Sequence, residues 1–277
     1  MHISIEEAAS LLTHGHVVAI PTETVYGLAA SITQPIAIDN IFKIKGRPSS
    51  NPLIIHIASV EQIYSYVTST PPSFESLTKT FWPGPMTLIL EVDTEVVPSN
   101  VRAGLSTAGF RIPSHPTALS VLARTGPLVM PSANLSGKPS ATAALHIEED
   151  FGPTFPLVEG FCANGVESTI LIYINDRWQI IREGAIPKEA FKDALGYIPI
   201  VNTAPVNNEK PLCPGQCFRH YAPKATLTLT DKIPENASGT ILGFDDRTYP
   251  QGLNLISLGS ATNPQQVAEN LYNKLRE

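Results

Sequence analysis

Short apolar runs of strand length, His16–Ile20, Pro52–Ile57, Met86–Val92 and Thr169–Ile174, recur along the first two thirds of a 277-residue chain, alternating with stretches of helical period around residues 5–14, 35–45 and 115–124. Strands that alternate with helices dictate an α/β sheet. Ser4-Ile5-Glu6-Glu7 fits a capping box at the start of the first helix. Two later runs, Glu167–Ile174 and Trp178–Glu183, flank Asn175-Asp176, a hairpin-like turn, so the sheet is predicted to be mixed. From Pro199 to Pro223 the texture changes: 5 of 25 residues are proline and apolar periodicity is lost, as in a linker. The expected division is a main domain over residues 1–198, a linker over 199–223 and a small α/β appendage over 224–277. In the appendage strands are predicted at Thr226–Leu229, Thr240–Phe244 and Asn254–Leu258, with a closing helix from Pro264.

Charge limits what such a fold can bind. The net charge is −6, and all of it falls in residues 1–200, which hold 12 Lys and Arg against 18 Asp and Glu. A nucleic-acid-binding scaffold normally carries a basic excess, because neutralised phosphates supply most of its affinity. The balance points to a small-molecule enzyme with room for a local basic pocket. The start of the chain lacks the pattern of a secretory signal, and no apolar run approaches the roughly 20 residues that span a bilayer, so a cytoplasmic protein without membrane contact is expected. Cys213 and Cys217 in CPGQC lack the companion pair of a structural zinc site and are read as thiols.

Four segments could carry chemistry. Pro21-Thr22-Glu23-Thr24-Val25-Tyr26-Gly27-Leu28 follows a hydrophobic strand and sets hydroxyls, a carboxylate and a phenol where ligands bind in α/β folds, although a polar strand-to-helix turn has the same composition. Lys43, Lys45 and Arg47 end a helix and run into a Pro-rich loop. The helix dipole accounts for Lys43, whereas Lys45 and Arg47 beside Gly46 suit a polyphosphate. Arg111, at the end of a predicted strand in Phe-Arg-Ile-Pro, can hold a carboxylate through two parallel hydrogen bonds or form a surface ion pair. Residues 131–142, PSANLSGKPSAT, crowd small polar residues into a loop that can nest a phosphate or serve as a turn. His56 lies within the apolar Leu-Ile-Ile-His-Ile strand, a position equally suited to a core histidine. Walker, GxGxxG, HExxH and GxSxG spacings are absent, which removes the main support for P-loop, dinucleotide-binding, zincin and hydrolase readings.

In order along residues 5–223, PTETVYGL, KGRPSSNPLIIHI, FWPGPMTLIL, FRIP, PSANLSGKPSATA, ESTI and IIREGAI resemble the threonylcarbamoyl-AMP synthase family with its YrdC-like fold. The segment from Cys213 to Pro223, containing Phe218-Arg219-His220-Tyr221, is similar to the linker of the longer branch of that family. The resemblance implies a YrdC-like catalytic domain over 1–198 with a twisted open α/β sheet, in which L-threonine, bicarbonate or CO2 and ATP give threonylcarbamoyl-AMP and pyrophosphate for tRNA modification. It assigns threonine contacts to Thr24, His56, Arg111, Ser132 and Ser168. Nucleotide contacts fall to Lys45, Arg47, Asn51, Thr107, Asn134, Thr142 and Arg182, with Tyr221 reaching in from the linker; Lys45 and Arg47 are the expected catalytic cations. Mg2+ is expected with ATP, held by nucleotide and water rather than by protein side chains. The implied partner is the downstream tRNA threonylcarbamoyl-transfer machinery, with direct tRNA contact left open. A double-stranded RNA- or tRNA-binding module of the same fold is the alternative, as is the carbamoyl-transferring domain of hydrogenase maturation proteins, whose acylphosphatase and zinc-finger companions have no counterpart here.

Overall fold

A computed structural model describes residues 1–203, 211–215, 221–223, 225–234 and 237–277. Its centre is an eight-stranded mixed sheet of β1 (Val18–Ile20), β2 (Gly27–Ser31), β3 (Ile54–His56), β4 (Met86–Glu91), β5 (Thr107–Arg111), β6 (Leu128–Val129), β7 (Thr169–Ile174) and β8 (Arg177–Arg182), in the spatial order β1-β2-β6-β3-β5-β4-β7-β8. Pairing is antiparallel except for β3–β5 and β4–β7. Helices α1 (Ile5–Thr13), α2 (Pro35–Lys45), α3 (Phe74–Phe81), α4 (Ser99–Arg102), α5 (Pro116–Thr125), α6 (Ala144–Phe151) and α7 (Lys192–Leu195) surround it. In the C-terminal segment β9 (Gly239–Gly243) and β10 (Leu253–Ser257) pair in parallel, and α8 (Pro264–Arg276) closes the chain.

Local chemistry sets these boundaries. The Ser4–Glu7 capping box satisfies the first amides of α1. Pro35 opens α2, and Gly46 ends it at φ 60°. Asn175 and Asp176 both adopt positive φ, 51° and 58°, which lets two residues join β7 to β8 with the twist the pair requires.

Period-two alternation divides the strand residues between two faces. Leu88, Leu90, Phe110, Leu171 and Ile180 pack with Ile38 and Ile41 of α2 and Leu77 of α3 in the largest core cluster. At the β1–β2–β6 end, Val18, Ile20 and Leu128 meet Leu12 of α1 and Val121 and Leu122 of α5. The intervening positions Ile54, Ile89, Ile170, Ile172 and Ile181 form a third cluster that, among the described residues, includes no helix side chain; Leu212 and the fully buried Cys213 of the linker lie against it. Burying one such side chain contributes about 1.5–3 kcal/mol, so the linker shields apolar surface on the face where the site is built.

Two expectations are corrected. Residues 226–229 form no strand: Leu227 and Leu229 are 60% and 99% exposed, and with neither a ladder partner nor a core to meet, their alternation gains nothing from extension. The segment from Pro21 is not a strand-to-helix turn but links β1 to its antiparallel neighbour β2.

Candidate functional site

On the face that α1 and α5 cover at the β1–β2–β6 end, the remaining strands β3, β5, β4, β7 and β8 present their polar side chains by the same alternation. His56 stands two residues from Ile54 and Thr87 two from Ile89; Thr107 and Arg111 flank Gly109, and Arg182 is the cross-strand partner of Ile170. Gly109 keeps this floor level, since a Cβ there would press on Ile89, Ile54 and Thr87 at 3.2–3.3 Å. Gly184 does the same at the edge, where a Cβ would collide with the backbone of Glu167 and Ser168.

Two clusters share the face. The first is cationic. Lys45, the last residue of α2, is buried, and its Nζ donates to the carbonyls of Ser132 at 2.5 Å and Asn134 at 2.6 Å. Arg47, just past Gly46, donates through Nη2 to the carbonyls of Pro52 at 2.8 Å and Asn51 at 3.3 Å. Arg182 donates to Ser168 through both its carbonyl and Oγ at 2.9 Å, and to the Pro214 carbonyl of the linker at 3.3 Å. Burial, reinforced by Arg47, holds the Lys45 amine well below its ordinary range, and burial pulls Arg47 down to about 10. Asn51 Oδ1 and Asn134 Oδ1 are buried without a hydrogen-bond partner among the described residues. Two buried cations and a half-buried third that meet mostly neutral carbonyls form an unbalanced site, and an entering anion would relieve it.

Lys45, Arg47, Asn134, Arg182 and Glu167 line a cavity of about 40 Å³, room for one or two water molecules. The linker narrows it: Tyr221 and Pro214 form part of its wall, and Ala222 N donates to the Gly137 carbonyl at 2.9 Å.

The second cluster surrounds Arg111. Its Nη2 donates to Glu23 Oε1 at 2.6 Å, while Glu23 Oε2 accepts from Ser114 N at 3.0 Å. Arg111 is 5% exposed, which corrects the surface-ion-pair reading, and its Nε is buried without a hydrogen-bond partner among the described residues. His56, paired with Arg111 across β3 and β5, is neutral: burial, and then the neighbouring guanidinium, push its pKa well below the ordinary range. Thr24 Oγ1 lies 2.8 Å from Thr22 Oγ1. Ser168 joins the clusters, touching Thr87 Oγ1 at 2.8 Å on one side and Arg182 on the other.

Lys45, Arg47, Ser132, Asn134, Arg182 and Tyr221 thus converge on the cavity, whereas Thr24, His56 and Arg111 belong to the adjoining cluster. Asn51 joins through its carbonyl. Thr107 stands at the far end of β5 opposite Glu91, and Thr142 donates its backbone N–H to His146 Nδ1; neither lines the cavity. Phe218, Arg219, His220 and Cys217 lie outside the described residues. Sequence reasoning quoted Glu23 and Glu167 inside motifs without giving them roles. It passed over Tyr272, whose hydroxyl donates to Glu167. A carboxylate fixed within a motif that also supplies hydroxyls was the available signal for Glu23; nothing local marks Tyr272.

Known proteins share the sequence pattern and the fold. Residues 10–184 match the Sua5/YciO/YrdC family, described as "Telomere recombination", and residues 186–277 match "Threonylcarbamoyl-AMP synthase, C-terminal domain". The threonylcarbamoyl-AMP synthase of Bacillus subtilis is 42% identical, over 90% of this chain and 71% of the relative. That of Pyrococcus abyssi is 38% identical, over 98% and 84%. The crystal structure of P. abyssi Sua5 complexed with L-threonine superposes with a TM-score of 0.85 at 34% identity, covering 98% of this chain and 84% of that one. Among the described residues no helix is long and apolar enough to cross a membrane.

Proposed function

The chain belongs to the threonylcarbamoyl-AMP synthase family, and from that premise we propose that its two clusters are the two halves of one adenylation site. The enzyme is a nucleotidyltransferase that converts L-threonine, bicarbonate or CO2 and ATP into threonylcarbamoyl-AMP and pyrophosphate, the intermediate of threonylcarbamoyladenosine formation in tRNA. The observation that carries the division of labour is that one sheet face bears both an under-neutralised trio of cations and a buried arginine whose Nε has no partner among the described residues.

In this reading Arg111 takes the threonine carboxylate, with Thr24, His56, Ser132 and Ser168 completing the amino-acid pocket. Glu23 occupies one Nη2 donor and so fixes which edge of the guanidinium is offered. His56 is neutral beside Arg111, so the guanidinium supplies the positive charge of this pair. Lys45, Arg47 and Arg182 hold the triphosphate, with Asn51, Thr107, Asn134 and Thr142 as further nucleotide contacts and Tyr221 closing from the linker. The carbamate oxygen forms its bond to the α-phosphorus as the bond to pyrophosphate breaks. No covalent enzyme intermediate is needed: alignment of the two reactants and stabilisation of charge on the departing pyrophosphate supply the rate.

Mg2+ would be held mainly by the nucleotide it accompanies. The chemistry of the lining suits that, because Glu167 is the one carboxylate among the described lining residues and both its oxygens accept from hydroxyls, of Ser140 and Tyr272. Phosphate oxygens and water would then supply most of the ligands. Transfer of the product to tRNA machinery and a cytoplasmic location complete the proposal. The test is pyrophosphate release in mixtures lacking one component at a time. Release should need threonine, bicarbonate and ATP together; equal release without threonine would contradict the reading.

A further inference from the structure

The C-terminal helix does more than end the chain. α8 is bolted to the main domain along one side: Gln265 Nε2 donates to the Ala163 carbonyl at 2.9 Å, and Asn273 Oδ1 meets His146 Nε2 at 3.1 Å. Arg276 Nη2 donates to the Pro139 carbonyl at 2.7 Å and to Asp150 Oδ2 at 2.8 Å. Gly165 lies against the backbone of Ala268 and Glu269. Positions 268, 269, 272 and 276 share a face by helical spacing, and at its centre Tyr272 is the one buried residue of α8.

Tyr272 makes two further contacts, both at the cavity. Its ring stacks on Tyr221 of the linker, with centroids 5.5 Å apart and planes 29° from parallel. Its hydroxyl donates to Glu167 Oε2, while Ser140 Oγ donates to Glu167 Oε1. Burial, and next the Glu167 carboxylate, push the phenol far above its ordinary range, so it stays protonated and donates. Glu167 would otherwise offer unscreened negative charge to the phosphates that Lys45, Arg47 and Arg182 are arranged to attract.

We propose that Tyr272 is a positioning residue for adenylation, seating the linker tyrosine by stacking and capping with its hydroxyl the carboxylate that lines the cation cluster. Docking alone would not call for this chemistry, since Gln265, Asn273 and Arg276 already fasten the helix and a leucine could fill the space. The inference rests on the reading of Tyr221 as a nucleotide contact. It makes the short C-terminal segment a working part of the ATP site.

The test uses the full chain with Tyr272→Phe, Tyr272→Leu and, as a control on the same helix, Gln265→Ala. ATP and threonine dissociation constants are measured by calorimetry beside KM values from pyrophosphate release and the Tm. Tyr272→Leu should weaken ATP binding by about tenfold, the scale of a lost aromatic pair and hydrogen bond, and leave threonine binding unchanged. Tyr272→Phe, which keeps the stack, should fall between Tyr272→Leu and the wild type, and Gln265→Ala should bind ATP as the wild type does. Unchanged ATP binding in Tyr272→Leu with a lowered Tm would reduce the residue to packing and overturn the proposal, as would equal weakening in Gln265→Ala. If Tyr272→Leu does not fold, Tyr272→Phe decides alone: weaker ATP binding supports the role and unchanged binding overturns it. A wild-type chain that binds ATP but releases no pyrophosphate would count against the family reading while leaving this comparison decisive.

Discussion

At the scale of single residues, the site is built from charges that the protein holds incompletely neutralised. Lys45 is the sharpest case, because its amine is buried against two carbonyls and its pKa sits well below the ordinary 10.5. A triphosphate beside it favours the charged form and raises that pKa again. Between the two values the ATP complex holds more protons than the free protein, so binding should take up protons and weaken as pH rises through that window. Calorimetry in buffers of different ionisation heat should report this uptake, and Lys45→Met should abolish it; proton release on binding would contradict the assignment. Lys45, Arg47, Arg111 and His56 were legible in the sequence because each stands in a short motif whose neighbours fix its element. The partner of Arg111 was not. Glu23 is 88 residues away, and only the folded sheet tells a buried pair from a surface one.

At the scale of elements, strand alternation is what assembles the site. Apolar runs revealed β3, β4 and β7 within a residue or two, and Asn175-Asp176 marked the hairpin, since these depend on local pattern and turn chemistry. What they could not reveal was that the isoleucine cluster of β3, β4, β7 and β8 would meet linker residues, because Pro-rich composition does not say where a tether docks. Thr226–Leu229 failed for a related reason: a strand pattern without a neighbouring strand remains irregular. The linker contact makes its own prediction. Tyr221→Ala should bind ATP more weakly and release threonylcarbamoyl-AMP or its breakdown products faster, as expected of a cover that excludes water. Its Tm without ligand should match the wild type, because the isoleucine cluster and Leu212–Cys213 remain in contact. A lower Tm with unchanged ATP affinity would make this segment a docking strut instead.

For the whole molecule, a net charge of −6 surrounds a cavity whose lining carries three cations and one carboxylate. Bulk acidity weighs against nucleic acid as the primary ligand, while the local inversion of sign draws in a polyphosphate. The protein accordingly divides its substrates between two adjoining clusters on one sheet face, the amino acid at Arg111 and the nucleotide at Lys45, Arg47 and Arg182. The most direct test is to measure ATP and threonine dissociation constants in Arg111→Ala and Arg47→Ala side by side. Removing one partner of a buried charged contact costs about 2–5 kcal/mol, so Arg111→Ala should lose threonine affinity by that amount and keep ATP, with the reverse for Arg47→Ala. Loss of ATP affinity in Arg111→Ala with threonine binding intact would contradict the division.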